Sequence, residues 1–166
     1  VRTFLHHFEF HVDLVVARQP TFGDGLLLAC NLPEEGRDDW SPANPRGQRE
    51  AAWEKNEQCG EMYIPAVRIV KYWNEGLGKP LRSYHAESIL YHALDGPLDY
   101  GEAVVRFFDA AYDALAPGVL TADPGAPTTY VDERLEDEDR RHARERVEQA
   151  RASAHRALEV DDVGDA

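Results

Sequence analysis

Two charged residues next to apolar positions are the first candidates for chemistry. Asp13 lies between Val12 and Leu14 in a strand-like run, where an ionised carboxylate is costly to desolvate without compensation. It can belong to an exposed strand face or pair with an arginine, or it can bind Mg²⁺, which prefers carboxylate and phosphate oxygens. Lys71 lies one position off the apolar stripe of a predicted helix. It can be a lysine that snorkels from the core boundary, or a phosphate contact in a cleft.

A third candidate is the segment Ser83-Tyr84-His85, which follows a Gly/Pro-containing turn. Ser83 is suited to cap the next helix, which alone would explain it. The same position also suits an anion, because backbone N–H groups and a hydroxyl point outward at a helix start. Tyr84 can lie in the core or stack on a base. The types and spacing of these residues suggest a phosphate and base site, although each also has an ordinary structural explanation.

The strand that positions Asp13 is predicted from hydrophobic alternation. Over Phe8 to Val16, alternate residues are apolar and the intervening ones are polar, which is typical of a strand with one buried face. A second short strand is predicted over Leu26 to Cys30, and the two are expected to pair as an antiparallel ribbon. Asn31 to Gly47 is rich in proline and glycine and is predicted to be a loop that is pinned by Trp40.

The rest of the chain has helical periodicity. Helices are predicted over Arg46 to Gln58, Glu61 to Glu75, Ser83 to Leu94, Asp99 to Leu115 and Asp132 to Glu159. Ile69 is placed on the inward stripe of the second helix. Ala116 to Thr129 is predicted to be a Pro/Gly-rich connection, and Val160 to Ala166 a frayed acidic tail. The predicted fold class is α+β, a short antiparallel β-ribbon followed by a bundle of four to five helices.

Composition limits the class of protein. The 166 residues include 18 Lys+Arg and 31 Asp+Glu, which gives a formal net charge of −13. This acidity argues against an extended nucleic-acid surface, because phosphate backbones need a basic face, but it permits a small phosphate pocket. Two cysteines without a C-x-x-C pair exclude a disulfide scaffold and a cysteine zinc site. The sequence also has no apolar run of the roughly 18 residues that span a membrane, and the residues from Val1 to Leu5 are not expected to belong to a signal peptide.

The order of the segments resembles a known family. "FEFHVDLVVA" is followed by "WSPANP", then by "IPAVRIVKYWNEGLGKPLRSYHAESILYHAL", and then by "ADP" before a long helix. This order is similar to that of the template-independent nucleotidyltransferases of the oligoadenylate synthetase and cyclic GMP-AMP synthase kind. The likeness is strongest to the bacterial members that make cyclic di- or trinucleotide signals in antiphage defence. It runs from about Phe8 to Leu158, and "VKYWN" paired with "SYHAE" is its most specific part.

The resemblance implies a cytoplasmic enzyme that transfers nucleotidyl groups from nucleoside triphosphates to a ribose hydroxyl with pyrophosphate release. It implies that Asp13 is the last of three carboxylates that hold two Mg²⁺ ions. Lys71 and Ser83 would hold the β- and γ-phosphates of the donor, and Tyr84 would stack on its base. Residues 1–45 would be strands of the catalytic domain with a connecting loop, and residues 46–159 a helical nucleotide-binding domain. Residues 160–166 would be the tail.

Two motifs of the family are missing upstream of Asp13, the Gly-Ser motif and the D-x-D pair of metal carboxylates. One aspartate cannot hold a two-metal site. We therefore expect a C-terminal portion of a nucleotidyltransferase, inactive alone, whose partner is the N-terminal catalytic segment of the same parent chain. The alternative is a non-catalytic helical module that binds a nucleotide or a protein. A third possibility is a related nucleotidyltransferase of the toxin–antitoxin or tRNA-modifying kind.

Overall fold

The computed structural model describes residues 2–5, 10–13, 30–33 and 40–164, with side chains described over residues 44–159. The chain divides into two compact units, Val1–Gly47 and Gln48–Ala166. The roles assigned above to residues 1–45, 46–159 and 160–166 stay predictions.

The first unit contains two antiparallel pairs of short strands within its described residues. Strand β1 (Arg2–Leu5) pairs with β2 (Phe10–Asp13). Strand β3 (Cys30–Pro33) pairs with β4 (Trp40–Ala43). Each pair has four residues per strand and forms a two-stranded antiparallel ribbon among the residues that the structure describes.

The predicted ribbon of the Asp13 strand with Leu26 to Cys30 lies mostly outside the described residues. Of its two predicted strands, the structure describes Phe10–Asp13, which forms β2 and pairs with β1, and Cys30, which begins β3. Trp40, predicted within a loop, lies in β4 opposite Pro33. Alternation identifies a strand and its apolar face but does not specify its partner, because several neighbours can cover the same face.

The part of the chain that the structure describes contains five helices, and the predicted α+β class is confirmed. The helices are α1 (Pro45–Gln58), α2 (Tyr63–Gly76), α3 (Ser83–Ala93), α4 (Tyr100–Ala114) and α5 (Asp137–Gly164). The predicted bounds of the first four are within two residues of these. Helix α5 begins five residues later than predicted and continues to Gly164, so residues 160–164 are helical rather than a frayed tail.

Local chemistry explains where two of the helices begin. Helix α1 starts with a proline directly after Asn44, whose side-chain oxygen accepts a hydrogen bond from the Gly47 amide at 2.9 Å. Helix α4 starts with a capping box. The Asp99 carboxylate accepts from the Glu102 amide at 2.8 Å, and the Glu102 carboxylate accepts from the Asp99 amide at 3.3 Å. These caps satisfy amides that have no acceptor inside the helix.

The apolar stripes of α2 to α5 meet in one core, and its burial from water is the main stabilising contribution. Trp73 of α2 packs edge-on against Phe107 and Phe108 of α4, with ring centroids 6.1 and 4.9 Å apart. Ile69 is 40% exposed, so its predicted place on the buried stripe is wrong, since it lies at the edge of that stripe. No helix within the described residues is long and apolar enough to cross a membrane.

The segment predicted as a plain connection contains a small ribbon. Strand β5 (Ala122–Asp123) pairs antiparallel with β6 (Ala126–Tyr130), and Pro124 and Gly125 form the turn between them. The β-branched run near Tyr130 favours a strand, and Asp-Pro-Gly favours a turn. A two-residue first strand is too short to show alternation, which is why the sequence pattern does not predict it.

Candidate functional site

Helices α2 and α3 form a helical hairpin, and a buried asparagine fixes the turn between them. The Asn74 side chain donates to the Leu81 carbonyl at 2.7 Å and accepts from the Leu81 amide at 3.0 Å. Within the turn, Gly78 and Lys79 have positive φ angles of 76° and 61°, and the Lys79 amide donates to the Asn74 carbonyl. Because buried polar groups need hydrogen bonds, this arrangement fixes where α3 begins relative to α2.

Lys71 points from α2 across the hairpin to α3. Its ammonium Nζ lies 2.5 Å from Oε2 of Glu87, and the two side chains are 39% and 22% exposed. Glu87 is four residues after Ser83, so both lie on the same face of α3. The ammonium is therefore directed to the face that carries Ser83, and it stays accessible to solvent.

Ser83 is the first residue of α3, but it is not its N-cap. Arg82 occupies the cap position with an extended backbone, and no side chain makes a capping hydrogen bond there. The prediction that Ser83 caps the helix is therefore wrong by one residue. Ser83 is exposed in the first turn, where the amides of a helix have no acceptor within the helix. A hydroxyl and amides at one helix start are groups that bind anions.

Tyr84 is half-buried, and its hydroxyl has a specific acceptor. The phenol donates a hydrogen bond to Oδ1 of Asp123 at 2.6 Å. Burial and this hydrogen bond to a carboxylate raise the pKa of the Tyr84 phenol, so the group remains a neutral donor. Of the two alternatives predicted for Tyr84, a place in the core does not fit its half-buried side chain, and stacking on a base stays a prediction.

Asp123 holds the turn of the β5–β6 ribbon as well as the tyrosine. It accepts from the Gly125 amide at 2.8 Å and from Nε2 of Gln48 at 3.3 Å. A side chain at Gly125 would meet the Gln48 backbone at 2.5 Å, so only glycine permits this approach. The ribbon turn is therefore packed closely against α1 while it contacts α3.

A buried cluster of charged and polar groups lies next to the candidate site. Within it, His85 approaches Thr121 Oγ1 at 3.2 Å, and Asp132 accepts from the Thr121 amide at 2.8 Å. Arg140 forms an ion pair with Asp132 at 2.9 Å and donates to the carbonyls of Ala114 and Val119. Burial lowers the pKa of the His85 imidazole below its ordinary value, against the opposing effect of Asp132, so His85 is neutral at pH 7. The cluster has a structural role, because it fastens residues 119–132 to α3 and α5.

The predicted metal ligand falls in the other unit. Asp13 is the last residue of β2, and its side chain lies outside the described residues. Over residues 44–159, no group of three or more His, Cys, Asp or Glu side chains could hold a metal ion. These residues alone therefore do not fit a two-metal site, and we derive no reaction step through a metal.

Sequence reasoning placed Lys71, Ser83 and Tyr84 on consecutive helices, and the structure brings them to one hairpin. It missed Glu87 and Asp123, which contact Lys71 and Tyr84. Glu87 could have been found from its spacing of four residues from Ser83. The Asp-Pro-Gly sequence at Asp123 predicts a turn, but it does not indicate which residues that turn contacts.

Comparison with known proteins identifies relatives by sequence. No family model matches the chain. A probable cyclic AMP-AMP-GMP nucleotide synthase of Salmonella paratyphi B is 31% identical over 108 residues, which cover 61% of this chain and 28% of that protein. The cyclic AMP-AMP-GMP synthase of Enterobacter hormaechei subsp. hoffmannii is 32% identical over 83 residues, 47% of this chain and 22% of that one. The chain thus spans less than a third of the length of these curated relatives.

A solved structure has a similar fold. It is the CdnE cyclic dinucleotide synthase of Elizabethkingia meningoseptica with GTP and Apcpp, which matches with a TM-score of 0.58 at 15% identity. The match covers 72% of this chain and 47% of that one. The fold agrees with the sequence matches and with the resemblance in the segment order. The chain is therefore similar in sequence to bacterial cyclic-nucleotide synthases and similar in fold to a cyclic dinucleotide synthase.

Proposed function

We propose that the chain is part of a nucleotidyltransferase that transfers nucleotidyl groups from nucleoside triphosphates to a ribose hydroxyl and releases pyrophosphate. Its product would be a cyclic or short oligonucleotide signal of antiphage defence, made in the cytoplasm. The relatives named as cyclic-nucleotide synthases, and the similar structure solved with GTP and Apcpp, support this class of enzyme and substrate.

The observation that carries the proposal is the contact of Lys71 with Glu87, which lies one turn after Ser83 on the same face of α3. An ammonium on a flexible stem acts as a point charge toward phosphate oxygens, and a helix-start hydroxyl with open amides adds neutral donors. In our proposal Lys71 leaves Glu87 and contacts the β- and γ-phosphates together with Ser83. Tyr84, one residue further along α3, stacks on the base, since an aromatic face accepts any base.

The metal part of the proposal rests on Asp13 and the family resemblance. Asp13 would be one ligand of Mg²⁺, which when bound polarises phosphoryl oxygens and neutralises the leaving pyrophosphate. With a single such aspartate, we expect the 166 residues alone to bind nucleotide without releasing pyrophosphate. The remaining carboxylates would come from the N-terminal catalytic segment of the parent chain.

The test is isothermal titration of the chain with ATP, GTP, CTP and UTP, each with and without Mg²⁺. We expect Lys71→Ala to weaken binding by about tenfold or more, the usual size of a lost charge-assisted hydrogen bond. Arg156→Ala is the matched control, because it removes one positive charge from an exposed position on α5. No binding by the wild type, or equal binding by Lys71→Ala, would contradict the proposal and favour the non-catalytic helical module.

A further inference from the structure

Asp123, at the turn of the β5–β6 ribbon, contacts Tyr84 of α3. Its two carboxylate oxygens accept three hydrogen bonds, from the Tyr84 hydroxyl, the Gly125 amide and the Gln48 side chain. These donors belong to α3, to the ribbon turn itself and to α1. Asp123 therefore joins three separate parts of the helical unit at one carboxylate.

The position of this carboxylate is fixed. The turn cannot move toward α1, because Gly125 already lies against the Gln48 backbone with no space for a side chain. On the other side, the His92 ring nitrogen lies 2.9 Å from the carbonyl of Ala122, which ties β5 to α3. An acceptor held from both sides is preorganised, so the hydroxyl that binds it is held as well.

The Tyr84 ring is consequently restrained at both ends. Its backbone belongs to the first turn of α3, where its carbonyl accepts from the Ser88 hydroxyl at 2.8 Å. Its phenol end is bound to Asp123. A tyrosine side chain has two main torsions, and fixing both ends removes most of its freedom before any ligand arrives. The Tyr84 side chain then has less conformational entropy left to lose when a base stacks on it.

We propose that Asp123 is a positioning residue for the base of the bound nucleotide and acts through the Tyr84 hydroxyl. This inference rests on the proposed function, in which Tyr84 stacks on the base. It assigns the β5–β6 turn a part in base binding and separates that part from phosphate binding by Lys71. Loss of the Asp123 contact is therefore expected to weaken ligands that carry a base and to spare ligands that consist of phosphate alone.

The test compares ATP with inorganic tripolyphosphate by titration calorimetry. Tyr84→Phe and Asp123→Ala are each expected to weaken ATP binding about three- to tenfold, the usual range for one hydrogen bond. Tripolyphosphate binding should stay within about twofold of wild type. The double variant should bind ATP no more weakly than either single variant, because both remove the same interaction. Asp123→Asn keeps an acceptor oxygen and should restore ATP binding.

Controls separate this role from a general effect on folding or charge. Glu133→Gln removes one negative charge from an exposed position in a nearby segment and should leave both affinities unchanged. If Asp123→Ala fails to fold, Tyr84→Phe and Asp123→Asn still carry the comparison. Equal loss of ATP and tripolyphosphate affinity, or additive single effects, would overturn the positioning role alone. A wild type that binds neither ligand would overturn the proposed function and this role with it.

Discussion

At the scale of single residues, the chemistry of Lys71 depends on its neighbour. In the described structure its ammonium pairs with the Glu87 carboxylate, and both side chains keep partial access to solvent. Such a pair contributes little to stability, because solvent screens it and two long side chains lose freedom to form it. A phosphate that binds Lys71 must replace the carboxylate or share the ammonium with it. Glu87 therefore opposes an anion at the same place where Lys71 attracts one.

We predict that Glu87→Gln tightens triphosphate binding. Removing a negative charge several ångströms from a polyphosphate should improve affinity by about threefold at the dielectric of a solvated surface. The free energy of unfolding should change by less than about 1 kcal/mol, because the pair is partly exposed. Titration with tripolyphosphate and urea denaturation measure the two effects.

The control for this variant is Glu75→Gln, which removes a carboxylate from an exposed pair with Lys79 on the same hairpin. It should leave affinity unchanged. Weaker binding by Glu87→Gln would contradict the prediction and would mean that Glu87 orients Lys71 for the phosphate.

The sequence allowed the residue types at the site to be predicted, but not their partners. Lys71, Ser83 and Tyr84 could be assigned to consecutive helices because helical spacing and a Gly/Pro turn are local signals. The contact of Tyr84 with Asp123 spans 39 positions of the chain. Such a contact depends on how the helices pack, which no local pattern records.

At the scale of elements, the β5–β6 ribbon is the element next to the candidate site that sequence reasoning missed. Its strands are too short to be stable alone, since even a full two-stranded hairpin is marginal in water. It persists through contacts outside itself, which are Asp123 to Tyr84, His92 to Ala122 and the approach of Gly125 to Gln48. Helices α2, α3 and α4 were predicted to within two residues because each has an apolar stripe that pattern alone identifies.

We predict that Gly125→Ala destabilises the protein by about 1–3 kcal/mol, the usual cost of forcing atoms into a packed region. The added Cβ would lie 2.5 Å from the Gln48 amide nitrogen, and a backbone atom cannot rotate away as a side chain can. The turn must shift, and the Asp123 contact with Tyr84 should weaken with it. Urea denaturation measures the first effect and ATP titration the second.

Gly96→Ala is the matched control for this prediction. A Cβ at Gly96 would meet no atom within 4 Å, so this variant should unfold at nearly the wild-type urea concentration. Equal stability of Gly125→Ala and the wild type would mean that the turn can retreat from α1, and the fixed position of Asp123 would then lose its support.

At the scale of the whole molecule, the buried ion pair of Arg140 with Asp132 holds the helical unit together. Arg140 comes from α5 and donates to carbonyls near the end of α4, while Asp132 accepts from Thr121, whose hydroxyl contacts His85 of α3. A chain with a net charge of −13 has an excess of carboxylates, and most can remain hydrated at the surface. Asp132 cannot, because its side chain is fully buried, so its charge needs the guanidinium.

We predict that Arg140→Met lowers the free energy of unfolding by about 3–5 kcal/mol, because it leaves the buried Asp132 carboxylate without a counter-charge. The adjacent Arg141 is the control, since it also pairs with a carboxylate, that of Glu145 at 3.1 Å, but both side chains are exposed. Arg141→Met should cost less than about 0.5 kcal/mol. Adding Asp132→Asn to Arg140→Met should recover part of the loss, because it removes the uncompensated charge. Equal destabilisation by the two arginine variants would show that burial of the pair is not what makes Arg140 important.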